Sequence, residues 1–154
     1  MTKMFLPIFG AAAFAAMPAL AQDSPQALQD AFVAGVTAED ADAVGALYTD
    51  DAYSYGPDGS FQQGPEAIAA NWAAFFDGFD GFSISLEQQG EMHEGKVAGA
   101  WGLWTMSATP VDGGDKVVWR GRYADISKKT KDGWRYIVDH ASPLATEEAS
   151  EAEE

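Results

Sequence analysis

Apolar residues recur along this chain with two different periods. Up to about residue 80 they fall every three or four positions, and beyond it every second position. Helices followed by strands are predicted. Ser24-Pro25 supplies a capping hydroxyl and a proline for the first helical turn. Leu28, Phe32 and Val36, with Ala27 and Ala31 beside them, then mark one face of a helix ending near residues 35–37. A second short helix is expected from Asp40 to Tyr48, with Ala41, Val44, Leu47 and Tyr48 inward. Asp50-Asp51 ends it. Ala52 to Gly56 reads as a short strand with Tyr53 and Tyr55 on one face, and Pro57-Asp58-Gly59 as a turn. Gly64-Pro65-Glu66 opens a third helix with the clearest periodicity in the chain: Ile68, Trp72, Phe75, Phe76 and Phe79.

The second half alternates. Phe82, Ile84 and Leu86 interleave with Ser83, Ser85 and Glu87, and 95–108 is a long apolar run. Residues 116–142 then form a hairpin of two strands, VVWRGRYADI and GWRYIVDHAS, around a Lys/Gly turn. Three helices followed by sequential strands with short turns make an α+β domain with an antiparallel sheet. Successive strand residues point to opposite faces. Strict alternation therefore puts Val118, Arg120, Arg122, Ala124 and Ile126 on one face of the hairpin's first strand, and Trp119, Gly121 and Tyr123 on the other. In its second strand it puts Trp134, Tyr136, Val138 and His140 opposite Arg135, Ile137, Asp139 and Ala141.

Composition narrows the picture. The formal charge is −15, which disfavours nucleic acid and anionic membrane as partners. Residues 1–21 read as a signal peptide: Lys3, an Ala/Phe-rich stretch from Met4 to Leu20, and the small-x-small site Ala19-Leu20-Ala21. A periplasmic or secreted protein is expected, with no membrane association after cleavage. There is no cysteine, so an exported chain of this kind holds its fold by its core alone. With two histidines and no cysteine, neither a structural metal site nor a cofactor is expected. The glutamate-rich segment 145–154 reads as a disordered acidic tail, leaving one domain over 22–144.

The succession LYTDDAYSYGPDG, FQQGPEAIAANW, KVAGAWGLWTM and RGRYADISKKTKDGWRYIVDHAS resembles the nuclear transport factor 2-like superfamily. Within it, the chain looks like the SnoaL-like and SgcJ/EcaC-type small bacterial proteins. The resemblance implies a cone-shaped, curved antiparallel sheet wrapped around the three N-terminal helices, a ligand pocket inside the cone, and homodimers through the outer sheet face. It also spans isomerases, cyclases, dehydratases and non-catalytic domains, so fold does not decide function. On this basis the face carrying Arg120, Arg122 and Asp139 is expected to line the cone. The Trp119, Tyr123, Trp134, Tyr136 and His140 face would then be the outer, dimer-forming one.

The expected function is binding of a small molecule, with Tyr55, Trp72 and Trp101 as aromatic lining and an arginine holding an anionic group. Two readings of Asp139 stay open: an ion pair with Arg122, or a catalytic general base in an isomerase, cyclase or dehydratase. The ion pair would depress its proton affinity and make it a poor base at neutral pH. A Ser142–His140–Asp139 triad is set aside, because adjacent strand residues face opposite sides.

Overall fold

The computed structural model describes residues 22–144; the expected signal peptide and acidic tail lie outside them. Helix α1 spans Pro25–Thr37, and the Ser24 hydroxyl accepts a hydrogen bond from the Ala27 amide at its start. Helix α2 is a short piece, Ala41–Gly45, capped by the Asp40 carboxylate accepting from the Ala43 amide. It stops earlier than its apolar spacing predicts because the following backbone is taken up by the sheet. The Leu47 carbonyl accepts from the Tyr136 amide at 2.9 Å, and strand β1 already begins at Tyr48 (Tyr48–Tyr55). Strand β2 (Phe61–Gln63), helix α3 (Pro65–Phe76) and four strands follow: β3 (Phe79–Glu94), β4 (Val97–Pro110), β5 (Val117–Thr130) and β6 (Gly133–Pro143).

The six strands form one curved, unclosed sheet in the order β2-β1-β6-β5-β4-β3. All neighbours are antiparallel except β1 and β6, which run parallel. The helices cover one face of the sheet. Leu28, Val36, Val44 and Ile68 join Ala98, Trp104, Met106, Tyr123, Trp134 and Tyr136 in a single core. Phe75 lies edge-on to Trp119 with ring centroids 5.6 Å apart.

Two details of the sheet govern everything built on it. First, the aromatic face of β5 is the inner one. Trp119, Gly121 and Tyr123 pack beneath the helices while Arg120, Arg122, Ala124 and Ile126 are exposed. This reverses the expected assignment. Flat rings bury large apolar area and belong under helices, whereas arginines keep their charge in water above the sheet. Second, β6 carries a bulge at Ile137. Ile126 pairs with Val138, but the next residue of β5, Ser127, pairs with Tyr136. The extra residue reverses the alternation partway along the strand. Trp134 and Tyr136 point inward before it; Asp139 and Ala141 do so after it, opposite Asp125 and Tyr123. His140 is left on the outer face. Asp139 thus reaches the interior together with the aromatic residues, not opposite them.

Candidate functional site

The bulge and the register of β5 and β6 set two carboxylates against each other inside the domain. Asp125 and Asp139 are cross-strand partners, which places their Cβ atoms about 4.5–5.5 Å apart. Asp125 is 8% exposed. Its Oδ2 accepts from Gln29 Nε2 of α1 at 3.3 Å. Asp139 is enclosed but keeps some solvent exposure, and its Oδ2 accepts from the Tyr48 hydroxyl at 2.8 Å. The ring of Tyr48 lies 5.2 Å from that of Tyr136, and Tyr136 in turn meets Phe32 edge-on.

Among the described residues no lysine or arginine pairs with these acids. The salt bridges among the described residues are Lys128–Asp51 and Lys131–Asp132, both at the surface. Burial is accordingly the main influence on Asp125, and the charge of Asp139 adds to it. Together they push its carboxyl up to about 7, against weaker opposing pulls from Gln29 and the Ala100 amide. Burial also raises Asp139, with the Tyr48 hydrogen bond and His140 acting the other way. Tyr48 and Tyr136 are held well above the usual phenol value by burial and by the two carboxylates. Tyr123 is 7% exposed, and burial, then Asp125, raise it as well. Gln29 lies close enough to favour its ionised form, yet not in hydrogen-bonding geometry, so the buried hydroxyl is left without a partner among the described residues.

A cavity of about 230 Å³ opens onto this cluster between the start of α1 and strands β3–β5. Gln29, Gln88, Glu91, His93, Asp125 and Ser127 supply its polar wall. That volume is below the roughly 300–1,000 Å³ of pockets for drug-sized ligands, so the space suits a small molecule. Chemically, the wall can accept hydrogen bonds from a guest and, through Asp125, give or take a proton near neutral pH.

The residues singled out in the sequence do not converge here. Asp139 does face the interior, but its partner is Tyr48 and not Arg122, which projects from the opposite face. Arg120 is exposed on that face as well. Trp72 is packing: its indole meets Phe32 edge-on at 5.7 Å and lies 5.5 Å from Phe76. Tyr55 is on the outer face, against Phe61 and His140. Trp101 is outside too, lying over Gly90. Trp101 and Arg122 do meet, together with His140 and Ser142, in a shallow depression on the outer face.

Asp125, Gln29, Tyr48, Tyr123 and Tyr136 complete the interior cluster, and sequence reasoning did not select them as site residues. Two carried a signal. Asp125 continues the Trp119, Gly121, Tyr123 alternation, and Gln29 lies three and seven positions before Phe32 and Val36, on the buried face of α1. A polar residue on an otherwise apolar face is the informative exception.

Comparison with known proteins agrees with this architecture. The SnoaL-like domain family matches residues 30–138, more than half of the chain. No curated protein matches the sequence. Among solved structures, a nuclear transport factor 2-like superfamily protein from Salmonella enterica superposes with a TM-score of 0.69 at 20% identity, over 78% of this chain and 88% of that one. A ketosteroid isomerase-like protein from Erwinia carotovora atroseptica gives 0.69 at 20% identity, over 79% and 94%. A scytalone dehydratase candidate from Novosphingobium aromaticivorans gives 0.72 at 12% identity, over 78% and 81%. At these identities the likeness is one of fold. With the family matched along the sequence and the curved sheet and its helices matched in space, the chain belongs to the SnoaL-like domain family and has the cone fold of the nuclear transport factor 2-like proteins.

Proposed function

We propose that this chain is an exported protein that binds a small molecule inside its cone. The observation carrying this reading is the cavity, which opens onto a buried carboxylate, Asp125, that has no salt-bridge partner among the described residues. Such groups lower stability and are retained where they meet a guest. The pattern of residues 1–21 supports export. Native mass spectrometry of the chain purified from its own host tests both parts. A mature chain beginning at Gln22 and carrying a bound small molecule is expected. An unprocessed chain removes export, and an empty cone whose melting temperature no metabolite raises removes the binding reading.

The catalytic reading gains from one observation. Asp139 is not paired with a guanidinium; a neutral phenol holds it, and burial raises its proton affinity. These are the conditions a general base needs. In an isomerase- or dehydratase-type turnover by this chain, Asp139→Asn should lower kcat by at least about 100-fold. Retention of the parent rate ends the base role.

Homodimerisation through the outer sheet face is part of the same proposal, on a different residue set from the one expected. Tyr53, Tyr55, Phe61, Met92, Val97, Trp101, Val118 and Ile126 are exposed, and the strand pairing places all of them on the face away from the helices. An apolar surface of that extent commonly marks an interface. Sedimentation at micromolar concentration should show a dimer, and the double substitution Trp101→Glu, Ile126→Glu a folded monomer. A parent chain that sediments as a monomer removes the dimer.

A further inference from the structure

We infer that the interior cavity takes a small organic cation, with an ammonium or guanidinium group seated against Asp125. This rests on the reading that the cavity is the ligand site, and it adds the ligand's chemistry.

The wall chemistry is the first argument. Asp125 and Glu91 are carboxylates, and Ser127 and Gln29 carry side-chain oxygens that accept hydrogen bonds. Among the described residues lining the cavity there is no lysine or arginine. Gln88 is already turned towards Glu91, donating from its amide at 3.1 Å. Gln29 is the one side chain that donates to Asp125, and at 3.3 Å the bond is long. Of the other lining nitrogens, Gln26 Nε2 is turned to Asp30 and His93 Nε2 lies 3.1 Å from the Gly95 carbonyl oxygen. The wall around Asp125 therefore offers more free acceptors than free donors, which is the complement of an amine and not of an anion.

The second argument concerns Tyr123. Its hydroxyl is buried near Gln29 and Asp125, outside the cavity lining, and hydrogen-bonds neither. Asp125 therefore receives no donor from its β5 neighbour, which leaves the carboxylate open to a donor from a guest. The third is electrostatic. Two carboxylates oppose each other, and among the described residues no lysine or arginine forms a salt bridge with either. A guest cation supplies the missing countercharge where water is scarce and a charge-assisted hydrogen bond is strongest.

Binding should then be coupled to proton release. Every element packed around Asp125 bears on this. Gln29 faces it from α1, Tyr48 lies behind it from β1, and Glu91 and His93 stand across the cavity on β3. The β4 wall is uncharged, Ala98 and Ala100. Tyr123 and Ser127 flank Asp125 on β5, and Tyr136 and Asp139 face it from β6. The groups nearest the carboxyl are neutral or acidic and favour its protonated form in the empty site. Asp125 is pushed up to about 7, so at pH 7 about half of the empty sites carry the proton, and a cation arriving there displaces it to solvent.

The test titrates the chain at pH 7 with propylammonium and propylguanidinium chloride, with 1-propanol as the uncharged match and calcium chloride as the inorganic one. The Gln29 side-chain amide is followed by NMR, and released protons are followed in weakly buffered solution. Both organic cations should shift the Gln29 signal, bind at least about tenfold more tightly than 1-propanol, and release about half a proton per site, since a carboxyl raised to about 7 is half protonated at pH 7. Asp125→Asn should lose the preference and the proton release together. Asp139→Asn, which keeps Asp125 but removes its repulsive neighbour, should bind the cations and release fewer protons. Equal binding of 1-propanol, displacement by calcium alone, or unchanged cation binding in Asp125→Asn overturns the inference. If 1-propanol alone perturbs Gln29, the cation fails and the pocket stands. If no probe does, the pocket reading fails with it.

Discussion

Asp125→Asn is expected to make the chain more stable at pH 8, by roughly 2–4 kcal/mol, and to flatten its stability against pH. The carboxyl moves from an ordinary value of 3.8 to about 7 on folding. That is about 3 pH units, and at about 1.36 kcal/mol per unit the ionised group costs the folded state on the order of 4 kcal/mol. The lower bound allows for acidic neighbours that also raise the unfolded carboxyl in so negative a chain. The sign follows from where protons bind. The folded pKa is the higher one, so between about pH 4 and pH 7 the native state holds more protons than the unfolded state. Stability falls as pH rises through that window, and the full cost is present above it. Asp139 is raised too and acts in the same sense. Asp51 and Asp58 are lowered by local hydrogen bonds at the surface and act in the opposite sense. An asparagine keeps an acceptor for Gln29 and removes the charge that opposes Asp139. Urea unfolding at pH 5 and pH 8 checks this. The parent should lose stability between the two and the variant much less. Equal losses would mean that general acidic self-repulsion, not this carboxylate, sets the pH dependence.

A group that costs this much where an amide would fit is what a binding or catalytic site looks like in energetic terms. The same reasoning explains why the site was only half legible in the sequence. Helix faces and strand alternation depend on local period, and they located α1, α3 and the four long strands. The Arg120/Arg122 and Trp119/Tyr123 sets were separated correctly by parity. Which set faces inward is a tertiary matter, decided by the area that α1 and α3 have to cover. The inner surface of neighbouring β4, with Trp104 and Met106, already pointed to an apolar answer. The bulge at Ile137 is harder to read. No proline or glycine marks it, and a single inserted residue moved Asp139 from one side of the sheet to the other. The Asp125–Asp139 pair exists because of that insertion, and strict alternation could not have brought it together.

Gly121→Ala should be among the most damaging small substitutions in the sheet, costing on the order of 3 kcal/mol or more. Gly121 sits on the inner face of β5 beneath the indole of Trp104, whose Nε1 donates to the Arg122 carbonyl at 3.1 Å. A Cβ at this position would lie 2.4 Å from the Trp104 ring and 2.2 Å from the Ser142 carbonyl oxygen. The ring can turn only by giving up its hydrogen bond, and the carbonyl only by opening the β5–β6 pairing. Gly99→Ala is the matched control in the neighbouring strand, because its nearest contacts are Met92 Cγ at 3.3 Å and the Asp125 carbonyl oxygen at 3.4 Å. A flexible methionine can give way by a few tenths of an ångström, so that variant should lose less than about 1 kcal/mol. Equal urea midpoints for the two variants would show that the sheet absorbs the extra carbon at Gly121. The expected inequality also reports on the site. Asp125 lies four residues along β5 on the same inner face and opposes Asp139 only while β5 and β6 keep their register. A Gly121→Ala chain that relieves its clash by loosening that pair should hold the two carboxylates further apart. It would then lose part of the pH dependence that Asp125→Asn removes, and the two substitutions together should be less than additive.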